Sequence, residues 1–259
     1  MTKTLLIRLE APIQTWGNST GNKQRTTAMR PTKSALVGLL ANAQGRDYND
    51  DVDDIAACTY AVRADRPGHL ERDYRTAGGG SYPALPRDRH HGLAADKPAW
   101  LHRPQTANLP VKNVAADKPA PIAGATPPAG KANPKQIDDT YLVDASFLAA
   151  FTGDDTLIDQ LAHALKHPAR ALFLGRKAQP PAAPLFAGIT SHTDPVDALS
   201  TDGEDNTSPR RIWYTTTADN ADSTVIYDQP VRFGAQPQRT ARVEATTTTG
   251  DNTQLSDFF

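Results

Sequence analysis

Between residues 66 and 138 the chain has almost no hydrophobic periodicity, and that gap constrains what the rest can build. A core element needs apolar residues recurring every two or every 3.6 positions. This stretch offers Pro, Gly, Ala, Arg, Lys and His in irregular order instead. It can hold a hairpin with irregular flanks, but no core. The core must therefore come from the segments on either side. From Arg72 to Lys135 the stretch carries ten Lys or Arg against four Asp, a formal excess of six. The whole chain of 259 residues has a net charge of −1, so any polyanion site must come from segregated charge.

On the N-terminal side, KTLLIRLEAP (3–12) alternates as a strand and Pro12 closes it. A polar loop, 13–31, follows. PTKSALVGLLANAQG then reads as a helix with Thr32 as N-cap and Gly45 as its stop. Leu36, Leu39, Leu40 and Ala43 fall on one face. Gly38 within it suits the close approach of another backbone. NDDVDDI (49–55) reads as an acidic turn and AACTYAVRAD (56–65) as a second strand. On the C-terminal side, DTYLVDASF (139–147) reads as a strand. GDDTLIDQLAHALKHP (153–168) reads as a helix capped by Asp154 or Asp155 and stopped by Pro168. ARALFLGRKAQPP (169–181) reads as a further strand.

The order is β-α-β, a long basic insertion, then β-α-β. This is the split arrangement of a ferredoxin-like α+β domain, placed at 1–190. Runs at 210–217, 223–228 and 230–236 add a small β-rich C-terminal extension over 191–245. Residues 246–259 lack periodicity and are expected to be a disordered tail.

The chemistry the sequence excludes is as informative. One cysteine, Cys58, in an apolar setting rules out an intrachain disulfide and reads as a buried core thiol. No run approaches the ~20 apolar residues that cross a bilayer, so a soluble cytoplasmic protein without a membrane partner is expected. None of the seven histidines has metal-type spacing with a carboxylate, and DDVDD (50–54) reads as a solvated turn rather than an ion site. No P-loop, dinucleotide fingerprint or nucleophile elbow is present. The aromatic motif that stacks bases on RNA-recognition sheets is absent too.

What remains is basic segregation. Ala11 to Arg46 holds Lys23, Arg25, Arg30, Lys33 and Arg46 and no acid. Within it, RPTKS opens a helix whose first-turn N–H groups and dipole favour an anion, flanked by Arg30 and Lys33. The competing reading is that Thr32 only caps the helix while the charges are solvated. Trp16, Tyr82 or Trp100 could stack on bases. YRTAGGGSYP (74–83), with Arg75 and Gly79, offers a backbone that can approach a ligand closely. A third basic group is Gly175-Arg176-Lys177. Whether the loop after the first strand meets this third group is a hypothesis at this level.

LEAPIQTWG, RPTKSALVGLLANAQG, YRTAGGGSYP, DDTYLVDASF, LFLGRKAQPPAAPLFAGI and VRFGAQ occur in that order. As a set they resemble the CasD family of the RAMP superfamily, the five-prime-handle-binding subunit of the type I-E CRISPR Cascade complex. The resemblance runs through about 1–190 and returns near 230–245. It implies a non-catalytic subunit, without cofactor or metal, that binds the 5′ handle of a CRISPR RNA (crRNA) and caps a backbone filament in antiviral defence. Segment 66–138 would be a thumb packed on the adjacent backbone subunit. The large subunit would dock nearby, and target DNA would be met only through the complex. The resemblance places RNA binding on Gln14, Trp16, Gly17, Arg30, Thr32, Lys33, Ser34, Gly175, Arg176 and Lys177. The residues themselves add Lys23, Arg25, Arg75, Gly79 and Tyr82. The alternative is a metal-independent endoribonuclease that processes CRISPR repeat RNA, with His90, His91 or His102 as base.

Overall fold

A computed structural model describes residues 2–17, 24–77, 135–201, 209–217, 223–234 and 237–249. The chain divides into two compact units, residues 1–72 with 140–259, and residues 73–139. In the first unit, a seven-stranded antiparallel sheet holds β1 (Thr2–Glu10), β4 (Thr59–Arg66), β7 (Ser146–Asp154), β8 (Phe186–Thr190), β9 (Arg211–Thr216), β10 (Thr224–Arg232) and β11 (Gln238–Thr248). Its spatial order is β10-β11-β9-β4-β7-β1-β8. Two short strands, β2 (Ile13–Gln14) and β3 (Gln24–Arg25), interrupt the loop after β1. β5 (His69–Ala77) pairs with β6 (Lys135–Val143), and the outer parts of both are the described residues of the second unit.

Two helical layers cover the sheet. On one face lie α1 (Lys33–Gln44) and α3 (Asp155–Lys166), with the one-turn α2 (Asp53–Ala57) leading into β4. Leu36 and Leu40 of α1 and Ile158 and Leu161 of α3 are buried with Leu5, Ile7, Tyr60, Phe147 and Phe151 of the sheet. On the other face α4 (Pro195–Thr201) sets Ala198 and Leu199 against Leu6, Ala61, Leu148, Ala150 and Ile212. Among the described residues no helix is long and apolar enough to cross a membrane.

The helices follow their local signals. Thr32 caps α1 by accepting from the Ala35 N–H at 3.3 Å, and Gly45 ends it at φ 81°. Asp154 caps α3 through the Thr156 N–H at 3.0 Å. Gly38 faces a ring, not a backbone: a Cβ there would lie 3.6 Å from Phe233.

The strands depart further from expectation. The run at 139–147 is not one strand but the end of β6, a turn at Asp144 (φ 55°) and the start of β7. β7 is buried on both faces from Ser146 to Thr152, so it lacks the alternation that marks a half-exposed strand. The expected strand at 169–181 does not form. Ala169 N–H and Ala171 C=O bond to the end of α1, at 2.9 Å to Ala43 O and 3.1 Å from Asn42 Nδ2. The chain then closes a tight loop before three prolines, and the outer strand is β8. The acidic turn at 49–55 runs into α2, and the acidic stretch 194–205 begins with α4, whose first turn is capped by Asp194. The C-terminal runs supply β9, β10 and β11 of the main sheet. Residues 246–248, expected in a tail, pair with Trp213, Ile212 and Arg211 because their threonines suit a strand.

Candidate nucleic-acid interface

The stretch from Gln14 to Gly17 is held from two sides by distant segments. Trp16 N–H donates to Thr27 Oγ1 at 2.7 Å, and Ala28 N–H donates to Trp16 O at 2.7 Å. On the other side Thr15 N–H donates to Leu174 O at 3.0 Å. The loop 174–179 is closed by Leu174 N–H to Gln179 O at 2.8 Å and Gln179 N–H to Arg176 O at 2.9 Å. The buried Gln179 side chain locks it: its Oε1 accepts from Arg176 N–H at 2.9 Å and from the Thr15 hydroxyl. Gly175 takes φ 110° against the Thr15 carbonyl, where a Cβ has no room. The two motifs that sequence left apart, Gln14–Gly17 and Gly175–Lys177, are thus neighbours.

This loop presents charge outward. Lys177 is exposed. Arg176 lies over the Tyr141 ring at 4.7 Å and donates to its hydroxyl at 2.7 Å, which fixes the guanidinium on a half-buried aromatic platform.

Trp16 does not belong to that surface. It is 2% exposed, and its indole N–H donates to Gln14 Oε1 at 3.1 Å. Gln14 is itself buried, donating to Leu9 O and Ala145 O. Both side chains are committed to the core, so Trp16 is not offered to a base. The pair instead shapes the turn that carries Thr15.

The start of α1 is already occupied by the protein's own carboxylates. Lys33 N–H donates to Asp228 Oδ2 at 2.9 Å. Arg242 grips Asp228 with two bonds, Nε to Oδ1 at 2.5 Å and Nη2 to Oδ2 at 3.0 Å, and reaches Glu244 Oε2 at 2.5 Å. Arg30 pairs with Glu244 and lies 5.2 Å over Trp213. Ser34 is buried and accepts from Arg239 Nε at 3.0 Å. Tyr60 donates to Pro31 O at 2.8 Å beneath the Arg242 guanidinium, and burial pushes its phenol pKa up.

The expected phosphate seat is therefore a structural anion site, filled from β10 and β11. Lys33 is 3% exposed, and burial, reinforced by Arg242, brings its amine down to about 8. Neither Lys33 nor Ser34 offers its side chain to a ligand. No local pattern could reveal this, because Asp228 lies 195 positions further on. Thr15, Tyr141 and Gln179 carry no charge and give no local signal, although each stands inside or beside a quoted motif.

Lys23, Gly79, Tyr82, Trp100, His90, His91 and His102 lie outside the described residues. Arg25 falls in β3 and Arg75 in β5.

A family model described as "CRISPR-associated protein (Cas_Cas5)" matches residues 4–245. The chain belongs to the Cas5 family of CRISPR-associated proteins. It is 28% identical over 208 residues, 77% of this chain and 76% of the relative, to the "CRISPR system Cascade subunit CasD" of Escherichia coli (strain K12). It is similar to a chain of a solved "CRISPR RNA-guided surveillance complex", at TM-score 0.64 and 26% identity, covering 95% of this chain and 90% of that one. A second solved structure, "Crystal structure of Cas protein", matches at TM-score 0.60 and 26% identity over 95% and 94%. The Cas5 match reaches residue 245, so it takes in the β10–β11 carboxylates that fill the start of α1 as well as the loop at 174–179. Both belong to the region this chain shares with its family.

Proposed function

We propose that this Cas5 family chain is a non-catalytic RNA-binding subunit of a cytoplasmic CRISPR interference complex. It holds the 5′ handle of a crRNA and caps the backbone filament, beside a backbone subunit and the large subunit. The observation that carries this reading is the loop 174–179 clamped to Thr15. It sets Lys177, and Arg176 on its tyrosine, on a rigid turn, where cations can track phosphates. The order β4-β7-β1-β8, with α1 and α3 on one face, supports a ferredoxin-like βαββαβ core. The basic insertion between β5 and β6 is read as the thumb. The names carried by the similar proteins support a place in a Cascade-type assembly.

The test is co-expression with the partner subunits and a CRISPR array, followed by purification of the complex. The expected result is a bound RNA that keeps its 5′ handle and is not cut by this subunit alone. Metal-free cleavage of repeat RNA at one position, abolished by changing His90, His91 or His102, would replace this reading with the nuclease.

A further inference from the structure

The end of α3 carries two histidines four positions apart, His163 in the last turn and His167 as the C-cap residue just beyond it. Both are exposed, and their ring centroids lie 4.9 Å apart. Imidazole nitrogens sit about 2.0–2.1 Å from a bound transition metal, which places each ring centroid roughly 3.2 Å from the ion. Two ligands at about 90–110° then put the centroids roughly 4.5–5.2 Å apart. The observed separation falls within that range without any movement of the helix.

We infer that His163, in the last turn of α3, and His167, at its C-cap, form a bidentate site for a late first-row divalent transition ion.

The surroundings suit a cation. The pair lines an open cleft between the ends of α1 and α3, together with Gln44, Arg46, Asp159 and Gln160. The basic groups nearby are already engaged. Arg46 forms a two-pronged pair with Asp54, at 2.6 and 2.5 Å. Arg170 is paired with Asp47 at 2.7 Å. Lys166 turns to the Phe186 ring at 4.0 Å. The C-terminal end of a helix favours positive charge. Gln44 lines the same cleft, and its Oε1 is buried without a hydrogen-bond partner. Among the described residues no group of three or more His, Cys, Asp or Glu gathers at ion-binding range, so the protein would supply two ligands here. Two imidazoles select Cu2+, Ni2+ or Zn2+ over the oxygen-seeking Mg2+ and Ca2+.

The test uses the untagged full chain, titrated with Cu2+, Ni2+ and Mg2+ by calorimetry, with electron paramagnetic resonance on the Cu2+ form. The expected result is one saturable site for Cu2+ and Ni2+, two coordinating imidazole nitrogens in the Cu2+ spectrum, and no Mg2+ binding. His163→Ala and His167→Ala should each weaken that site at least tenfold, while His69→Ala leaves it unchanged. Both side chains are exposed, and circular dichroism would establish that each variant is folded. His163→Gln and His167→Gln provide a second pair of variants. Undiminished binding in the folded variants of both positions, or equal binding of Mg2+, would overturn the assignment.

Discussion

Gly175 packs against the Thr15 carbonyl at φ 110°, so close that a Cβ would overlap the oxygen. This contact locks a loop late in the chain to the turn after the first strand. Gly175→Ala should cost about 1–2 kcal/mol from backbone conformation alone, with the steric clash adding to it. It should also weaken RNA retention by displacing Lys177. Denaturant unfolding measures the first effect and RNA content of the purified complex the second. Parent-like stability and RNA content would show that the clamp is unimportant.

Asp228 and Arg242 anchor the C-terminal strands beneath α1. Asp228→Ala strips Lys33 N–H and the buried Arg242 of their acceptor, and should destabilise the fold by about 3–5 kcal/mol. Arg242→Met removes the guanidinium from both carboxylates. The double variant should lose less than the sum of the two singles, because the pair is coupled. Urea unfolding of the three variants and the parent closes the cycle.

Lys33 gives a pH signature of known sign. Its amine falls from 10.5 in the unfolded chain to about 8 when folded, so between those values the unfolded state binds more protons. Stability attributable to Lys33 therefore rises as pH increases from about 8 to about 10.5, and the full penalty is present below that window. The shift corresponds to about 3 kcal/mol at pH 7. Lys33→Met should be more stable than the parent by up to that amount at neutral pH, and the gap should close as pH passes 10.5. Denaturation of both proteins from pH 7 to 10.5 measures the difference. A constant gap would contradict the assignment.

The helices were legible because their signals are local. Thr32, Gly45 and the Leu36/Leu39/Leu40 stripe sit within fourteen residues and define α1 on their own. β7 was hidden because burial on both faces erases alternation. Residues 169–181 look β-prone, but their backbone is taken up by α1 and by Thr15. At the candidate site, the Gly175-Arg176-Lys177 motif is visible in the sequence, while its position beside Thr15 is not. RPTKS misleads, since the anion that the helix start attracts is Asp228, brought there only by the complete sheet.

Trp16 should behave as a core residue. Trp16→Ala should cost about 3–5 kcal/mol. Trp16→Phe should cost less and leave RNA content per folded complex unchanged. A selective loss of RNA in a stably folded Trp16→Phe complex would return the indole to the binding surface. Chemical denaturation alongside RNA quantification separates the two outcomes.

If the 174–179 loop holds RNA through phosphate contacts at Lys177, the salt dependence of binding must change with that residue. The most direct measurement is the affinity of the full chain, assembled with its partners, for handle RNA across a series of salt concentrations, compared with Lys177→Glu. Each phosphate contact on a single strand contributes about 0.7 to the slope of log K against log salt. The Lys177→Glu complex is expected to bind more weakly and with a slope shallower by about that amount. An unchanged affinity and slope would contradict it.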